Sequence, residues 1–591
     1  MSGSLPGRYG FLSPAWPVIT AGAALAGALV LFVPPLLPPA FGQSPSPAAI
    51  QSAEDIQQSG QRMYREGILP SGETMQSVIK GDIAVSGTSF TCVSCHMLSG
   101  LGSIEGGVIT TPTNGRSLYN PRNPPTGIRS GMGAGMGQPK SQLPPERAPG
   151  RPAYTDENLA AALCLGVDPS GRVLDPVMPR YDLGEQDMAV MVSYLKSLSS
   201  TYSPGVDERT LRFATVVSED VATELRDVQA LLLEKLFSRM NEQSRDYEKR
   251  LKDPRLNRHM SKTGRLMYRE LSLSRWVLKG PPETWRAQLE EYYRKEPVFA
   301  LLGGMVSGEW KPVHDFSESN RIPCLFPQTD FPVVSDTDYY TVYLSKGYYQ
   351  EGEAAARFIN RSEDSAKVRS VVQVVRDSPQ GRALSAGFEG AWRDLGQPPP
   401  LTVRLRPGES ISQGALEKMM ATDKPAALLV WDGADAAALL ASIAAMVNRP
   451  EAVFVSSSYL GKKAAALPDQ VRDFVYITHP YRLPREEEQL EEFYLGGAAK
   501  DRNAADEAGR VMKRSYPLSR VLIQAISEMK DNFYRDYLLD VVGMGKDLDV
   551  PLYERLSFGP GQRYASKGCY IVQLSRGDNP TFIKKSDWVI H

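Results

Sequence analysis

The sequence predicts a multidomain chain, a helical unit over about 53–200 followed by a larger two-lobed α/β unit over 208–591. Three observations carry that division. Apolar residues recur at helical spacing at both ends of the first unit. Strand-like and helix-like stretches alternate through the second. A polar stretch within it, Arg361–Lys367, separates two such runs and reads as a crossing between two sheets. A length of 591 residues suits more than one domain.

Ahead of both units, residues 1–14 carry one cation, Arg8, and the apolar run from Ala15 to Val33 is broken by Pro34-Pro35. Ala40-Phe41-Gly42 puts small residues at the two positions a signal peptidase reads, which predicts cleavage before Gln43. A Sec-type signal peptide over 1–42, a Ser/Pro/Ala linker over 43–52 and a periplasmic body are therefore expected. An uncleaved anchor is the alternative, because the run is almost long enough to span a bilayer. Only in that case is membrane contact expected. Lys+Arg 67 against Asp+Glu 68 gives a net charge of −1, which points away from nucleic acid as a partner.

In the first unit, Ala53–Gly67 places Ile56, Gly60, Met63 and Tyr64 on one helical face, and Gly184–Leu198 does the same with Met188, Met191, Val192, Leu195 and Leu198. Between these helices lies Cys92-Val93-Ser94-Cys95-His96. Two thiols three positions apart can each add across a haem vinyl group, and the adjacent imidazole can then bind iron. C-x-x-C-H is the c-type haem attachment signal. A zinc site would want a second Cys/His pair nearby, and none lies close in the sequence. One covalent haem c is expected, held by Cys92 and Cys95 with His96 on the iron. The other cysteines, Cys164, Cys324 and Cys569, are odd in number and read as buried thiols, with one pairing left open.

With Gly60 four positions before Tyr64, Tyr194 near the end of the last helix and the attachment string between them, this unit resembles the class I cytochromes c. The resemblance implies an all-α fold in which the first and last helices cross at the glycine. It also implies a soft sixth ligand just before the last helix, where Met178 stands in Asp175-Pro176-Val177-Met178-Pro179-Arg180-Tyr181. A His/Met pair favours ferrous iron and suits electron transfer; core filling is the other role open to a methionine. Pro112, in Thr110-Thr111-Pro112, matches the family's proline whose carbonyl accepts the imidazole proton and so fixes the ring. Residues 120–152 depart from the family as a Gly/Pro-rich insertion, read as an irregular surface loop. Copper(I) binding by Met132 and Met136 is the alternative there.

After a short linker, 201–207, strands are expected at Leu211–Val217, Leu271–Leu278, Val298–Gly303, Ile322–Phe326, Val368–Val375, Leu401–Leu405, Ala426–Trp431, Val453–Ser456 and Phe474–Thr478. Helices at Val221–Met240, Glu283–Arg294 and near Trp310–Ser319, with others further on, alternate with them. Repeated strand–helix units imply parallel sheets covered on both faces. The segments Gly303–Gly308, Phe326–Asp330, Gly347–Gly352 and Ser378–Arg382 follow strands or precede the crossing. With them the unit resembles the type I periplasmic binding fold, in particular the branched-chain amino-acid-binding family.

That resemblance implies two lobes closing over a small-molecule ligand at the C-terminal ends of the strands. Ser307 and Thr329 would offer donors to an anionic group of the ligand, and Asp432 and Tyr459 would contribute from the second lobe. Helix capping is the alternative for Ser307 and Thr329, ordinary loop roles for Asp432 and Tyr459. The glycines after Leu302 lack the spacing of a nucleotide loop. No G-x-S-x-G, H-E-x-x-H or second C-x-x-C-H occurs, so the chain reads as an electron carrier and binding protein rather than a catalyst. The expected function is periplasmic electron transfer to or from a redox protein, such as a dehydrogenase, coupled to a solute-binding module. A solute receptor of an ABC-type transport or sensing system with an accessory haem domain is the alternative.

Overall fold

A computed structural model of the chain describes residues 52–80, 82–105, 108–122, 150–252, 269–361, 370–423, 425–433, 435–495, 507–559 and 561–590. The expected signal peptide, nearly all of its linker, and most of the 120–152 insertion with Met132 and Met136 lie outside the described residues.

The first unit opens with α1 (Ala53–Glu66) and closes with α5 (Glu185–Ser197). The two pack together where Gly60 meets Tyr194: a Cβ added at Gly60 would stand 2.4 Å from that of Tyr194. The rings of Tyr64 and Tyr194 lie beside this point, with centroids 5.5 Å apart. Between them come β1 (Gln76–Ile79), β2 (Ile83–Ser86), α2 (Cys92–His96), β3 (Ile104–Glu105), β4 (Val108–Ile109), α3 (Gly115–Leu118), α4 (Asp156–Cys164) and β5 (Arg180–Asp182). The unit is therefore largely helical but not all-α. A three-stranded sheet, β2-β1-β5, is added, with both pairings antiparallel. Its β-branched residues, among them Val78, Ile79, Ile83 and Val85, favour extended backbone, but each strand is too short for alternation to announce it. Met63, Tyr64, Leu159, Tyr181, Met191, Tyr194 and Leu195 form the buried core.

Lobe 1 is a parallel sheet built from β6 (Thr210–Ser218), β7 (Glu270–Leu278), β8 (Ala300–Leu302), β9 (Cys324–Leu325) and β10 (Thr341–Val342), in the order β10-β9-β8-β6-β7. Helices α6 (Thr223–Lys252), α7 (Trp285–Lys295) and α8 (Lys311–Ser319) connect its strands. The charged stretch after Met240 continues α6 as helix as far as Lys252. The chain crosses to lobe 2 through α9 (Tyr348–Asn360).

Lobe 2 holds β11 (Val371–Arg376), α10 (Pro379–Asp394), β12 (Leu401–Leu405), α11 (Gln413–Asp423), β13 (Ala427–Trp431), α12 (Ala436–Ala444), β14 (Ala452–Ser456), α13 (Ser457–Leu460) and β15 (Val475–His479). These five strands are parallel neighbours in the order β12-β11-β13-β14-β15. Continuous burial along β11 and β13 matches a sheet covered on both faces.

Beyond β15 the strand–helix alternation no longer describes the chain. After α14 (Pro484–Leu495) it returns to lobe 1 as α15 (Glu507–Met529) and α16 (Arg535–Gly543). Leu518, Leu522, Leu538 and Leu539 of these helices join the same core as Phe213 and Phe299. It then re-enters lobe 2 as β16 (Gly568–Leu574), β17 (Phe582–Lys584) and β18 (Val589–Ile590). β16 pairs antiparallel with β15, β17 and β18, so that sheet is mixed rather than wholly parallel. Residues 53–591 form one compact unit.

Candidate functional site

The attachment string folds as the single turn α2, with Cys92 half-buried and Cys95 exposed, both as free thiols. Burial pushes the Cys92 thiol up to about 11, and its Sγ stands 3.8 Å from the Tyr181 hydroxyl. His96 Nδ1 lies 2.9 Å from the carbonyl oxygen of Thr111. The acceptor is thus Thr111, not the expected Pro112. The intervening chain folds back tightly, Thr110 N–H donating to the Ser103 carbonyl, and this brings the preceding carbonyl to the ring. Burial lowers the imidazole's pKa, favouring the neutral form that binds metal. With Nδ1–H committed to Thr111, the Nε2 lone pair is left for iron.

Met178 is half-buried and packs on the same core as Cys92 and Val93. Its loop is pinned by Arg180, whose guanidinium donates to the carbonyls of Met178 and Leu174. Sequence reasoning missed this clamp. Among the described residues the other histidines, His314 and His479, are engaged elsewhere. His314 uses both ring nitrogens, with Tyr343 and Asp338. His479 uses its own with Ser457 and the Arg482 carbonyl. Two free thiols, an oriented imidazole and a thioether on the same core fit a covalently bound haem.

Immediately past His96, Met97 takes a positive φ of 64°, a region unfavourable for a residue with a side chain. The Tyr64 hydroxyl donates to its carbonyl at 2.8 Å. The next two N–H groups, of Leu98 and Ser99, donate to Asp540 Oδ1 and Oδ2 at 3.0 and 2.8 Å. Asp540 belongs to α16 in lobe 1. On the same helix Asp536 pairs with Arg65 of α1 at 2.8 Å and accepts from the Tyr340 hydroxyl at 2.9 Å. Arg321 donates to Gln61 at the edge of this contact.

Between the lobes lies a cavity of about 340 Å³, bounded by Lys311, Asp330 and Phe331 of lobe 1, Pro379 and Arg382 of lobe 2, and Lys346 at the crossing. The Phe331, Tyr348 and Tyr459 rings follow one another from lobe 1 to lobe 2, with centroids 5.3 and 6.2 Å apart. Asp432 is buried and ion-paired with Arg376 at 2.6 Å. The Tyr459 hydroxyl meets Ser378 Oγ at 2.7 Å. These residues gather at the C-terminal ends of β11, β13 and β14, but the charge of Asp432 is already answered within the lobe. Thr329 Oγ1 accepts from Phe331 N–H, an ordinary turn contact. Ser307 is exposed, its own N–H donating to Ser218 Oγ, and it borders a separate surface cavity of about 470 Å³ formed by lobe 1 alone.

Sequence reading overlooked Glu351. It is fully buried on α9, its Oε2 accepts from Thr478 Oγ1 at 2.7 Å, and its Oε1 has no partner. Burial raises its carboxyl to about 7, partly offset by the nearby hydroxyls of Ser458, Thr478 and Ser456. The fully buried guanidinium of Arg514, on α15, ties Asp330 to the Tyr481 hydroxyl.

The family model described as periplasmic binding protein matches residues 278–575, half of the chain. The model described as cytochrome c matches residues 88–199. No curated protein matches the chain. Among solved structures, a fatty acid ABC transporter substrate-binding protein from Thermomonospora curvata is 16% identical, covering 66% of this chain and 95% of its own, with a TM-score of 0.39. An ABC transporter substrate-binding protein from Sphaerobacter thermophilus is 14% identical, covering 65% and 98%, with a TM-score of 0.44. A branched-chain amino acid ABC transporter from Thermus thermophilus with bound valine is 13% identical, covering 65% and 97%, with a TM-score of 0.40. The matched attachment string identifies a haem c site at Cys92 and Cys95, and the chain belongs to the periplasmic binding protein family, carrying a cytochrome c domain fused on its N-terminal side.

Proposed function

We propose that this chain is an exported electron-transfer protein whose haem domain exchanges electrons with a redox protein, such as a periplasmic dehydrogenase, while the fused module grips a small solute. The observation that carries the reading is the turn Cys92–His96 with its imidazole oriented by Thr111 and Met178 on the same core. Bound haem supplies one-electron exchange at its iron. Cys92 and Cys95 would tether it through thioether bonds, and His96 and Met178 would supply the imidazole and thioether that bind its iron. Val78, Ile83, Leu165, Val173 and Val177 are exposed apolar residues around the Met178 loop, and they suit the approach of a protein partner.

The signal peptide over 1–42, the haem domain over 53–200 and the binding module over 208–591 complete this reading. The cleft between the lobes supports the solute role. Lys311, Lys346 and Arg382 beside Phe331 suit a small anionic or aromatic molecule more than a cation. Met178→Ala should abolish the sulfur-to-iron band near the red edge of the ferric spectrum; a band that survives sinks the axial assignment. A thermal-shift screen of amino acids, alcohols and aromatic acids should find a stabilising ligand, since binding to the native state raises stability by mass action. The solute-receptor alternative gains if a ligand stabilises the protein while no dehydrogenase reduces it.

A further inference from the structure

We infer that Asp540, supplied by the binding module, is a positioning residue for the haem: it clamps the backbone just past His96 and helps set the iron's reduction potential. The inference rests on the reading of His96 as an iron ligand.

The geometry is specific to a carboxylate. Leu98 and Ser99 present consecutive N–H groups, and each meets a different oxygen of Asp540, at 3.0 and 2.8 Å. An amide in its place would offer one acceptor where two are needed. Leu98, Ser99 and Asp540 are all buried, at 7%, 0% and 3% exposure. Water therefore cannot readily replace the bonds, and a buried N–H left unmade is costly.

The clamped segment is also one that would not hold its shape unaided. Met97, between His96 and Leu98, has φ 64°. Strained backbone of this kind persists only where its surroundings over-determine it. Here Tyr64 holds the Met97 carbonyl from within the haem domain, and Asp540 holds the next two amides from lobe 1. The segment in turn carries the proximal side of the site, because Gly102 N–H donates to the His96 carbonyl and Thr113 N–H to that of Gly100. Asp540 thus acts through the loop on the orientation of the imidazole. When ionised, it also favours the more positively charged, ferric state.

The test is the midpoint potential of the full-length haem-loaded protein, by mediated spectroelectrochemical titration, for the unaltered chain, Asp540→Asn and Gln61→Ala. Asp540→Asn keeps the side chain's shape while removing its charge and one acceptor. Gln61→Ala removes the bond to Arg321 at the edge of the same contact. Asp540→Asn should raise the potential, and Gln61→Ala should leave it where it is. An unchanged potential in Asp540→Asn, or an equal shift in both variants, overturns the inference. Should Asp540→Asn fail to fold, amide hydrogen exchange in the unaltered protein decides the matter. Protection of Leu98 and Ser99 matching that of α16 supports the clamp, and exchange as fast as in exposed loops refutes it. His96→Ala reports separately on the ligand reading. A spectrum unchanged by that substitution removes His96 from the iron without altering the amide result.

Discussion

Lobe 1 meets two neighbours in two different ways. Toward the haem domain it presents Asp540, a buried carboxyl whose two oxygens are both occupied by backbone N–H groups. Toward lobe 2 it is joined by the crossing helix α9, which carries Glu351, a buried carboxyl with one oxygen taken by Thr478 and the other without a partner. Burial raises both to about 7. The saturated acid sits where nothing should move, beside the strained loop that follows His96. The unsaturated one sits on α9, the helix that crosses between the lobes, where spare hydrogen-bonding capacity costs stability but leaves an acceptor in reserve. A fixed joint and an adaptable one are thus told apart by how fully a buried charge is answered.

Three substitutions sharpen that contrast. Arg65→Ala should have the largest effect, because it breaks the mostly buried pair with Asp536, whose side chains are 10% and 22% exposed. Loss of one partner from such a pair costs about 3 kcal/mol or more. Urea denaturation should then separate unfolding of the haem domain from that of lobe 1; a single unshifted transition would show that the joint does not depend on this pair. Glu351→Gln should act only at higher pH. The folded pKa of Glu351, about 7, lies above its unfolded value, so its contribution to stability is full below the unfolded pKa and is lost as pH rises through about 7. The variant should match the unaltered protein near pH ~4 and exceed it by on the order of 3 kcal/mol near pH ~8. A difference that is constant with pH would mean Glu351 does not titrate in the folded state. Gly60→Ala, remote from both acids, should cost about 1–3 kcal/mol, because its Cβ has no room beside Tyr194. Thermal unfolding of the haem-loaded protein reads this loss, and an unchanged melting temperature would refute tight helix packing there.

Features fixed by local chemistry were legible in the sequence. The Cys92–His96 spacing answers to the haem vinyl groups, and Gly60 with Tyr194 answers to a helix contact, so neither needs knowledge of the rest of the chain. The parallel strands from β6 to β15 announced themselves as short apolar runs between helices, except the two-residue β10, which the sequence reading missed. Misses arose where a partner is remote or an element is short. Thr111 replaced Pro112 because the fold of the chain between His96 and Thr111 sets which carbonyl reaches the ring. The strands β1, β2 and β5 are four, four and three residues long, too brief for a period to show. Asp432 was noticed as a loop acid, but Arg376, which neutralises it, stands 56 positions away.

By itself, the sequence determined the haem chemistry, the crossing-helix architecture around it and the two-lobed class of the larger unit. The first follows from covalent reach, the second from the resemblance to the class I cytochromes c that Gly60, Tyr64 and Tyr194 carry, and the third from strand–helix alternation. Only the tertiary structure decided that α15 and α16 return to lobe 1 and that α16 reaches back to the haem loop. Asp540 and Ser99 lie 441 positions apart, and no local pattern links them. Their contact exists because the lobe 1 core buries Leu538, Leu539, Val541 and Val542 of α16. That packing leaves Asp540 between them to meet the amides of Leu98 and Ser99.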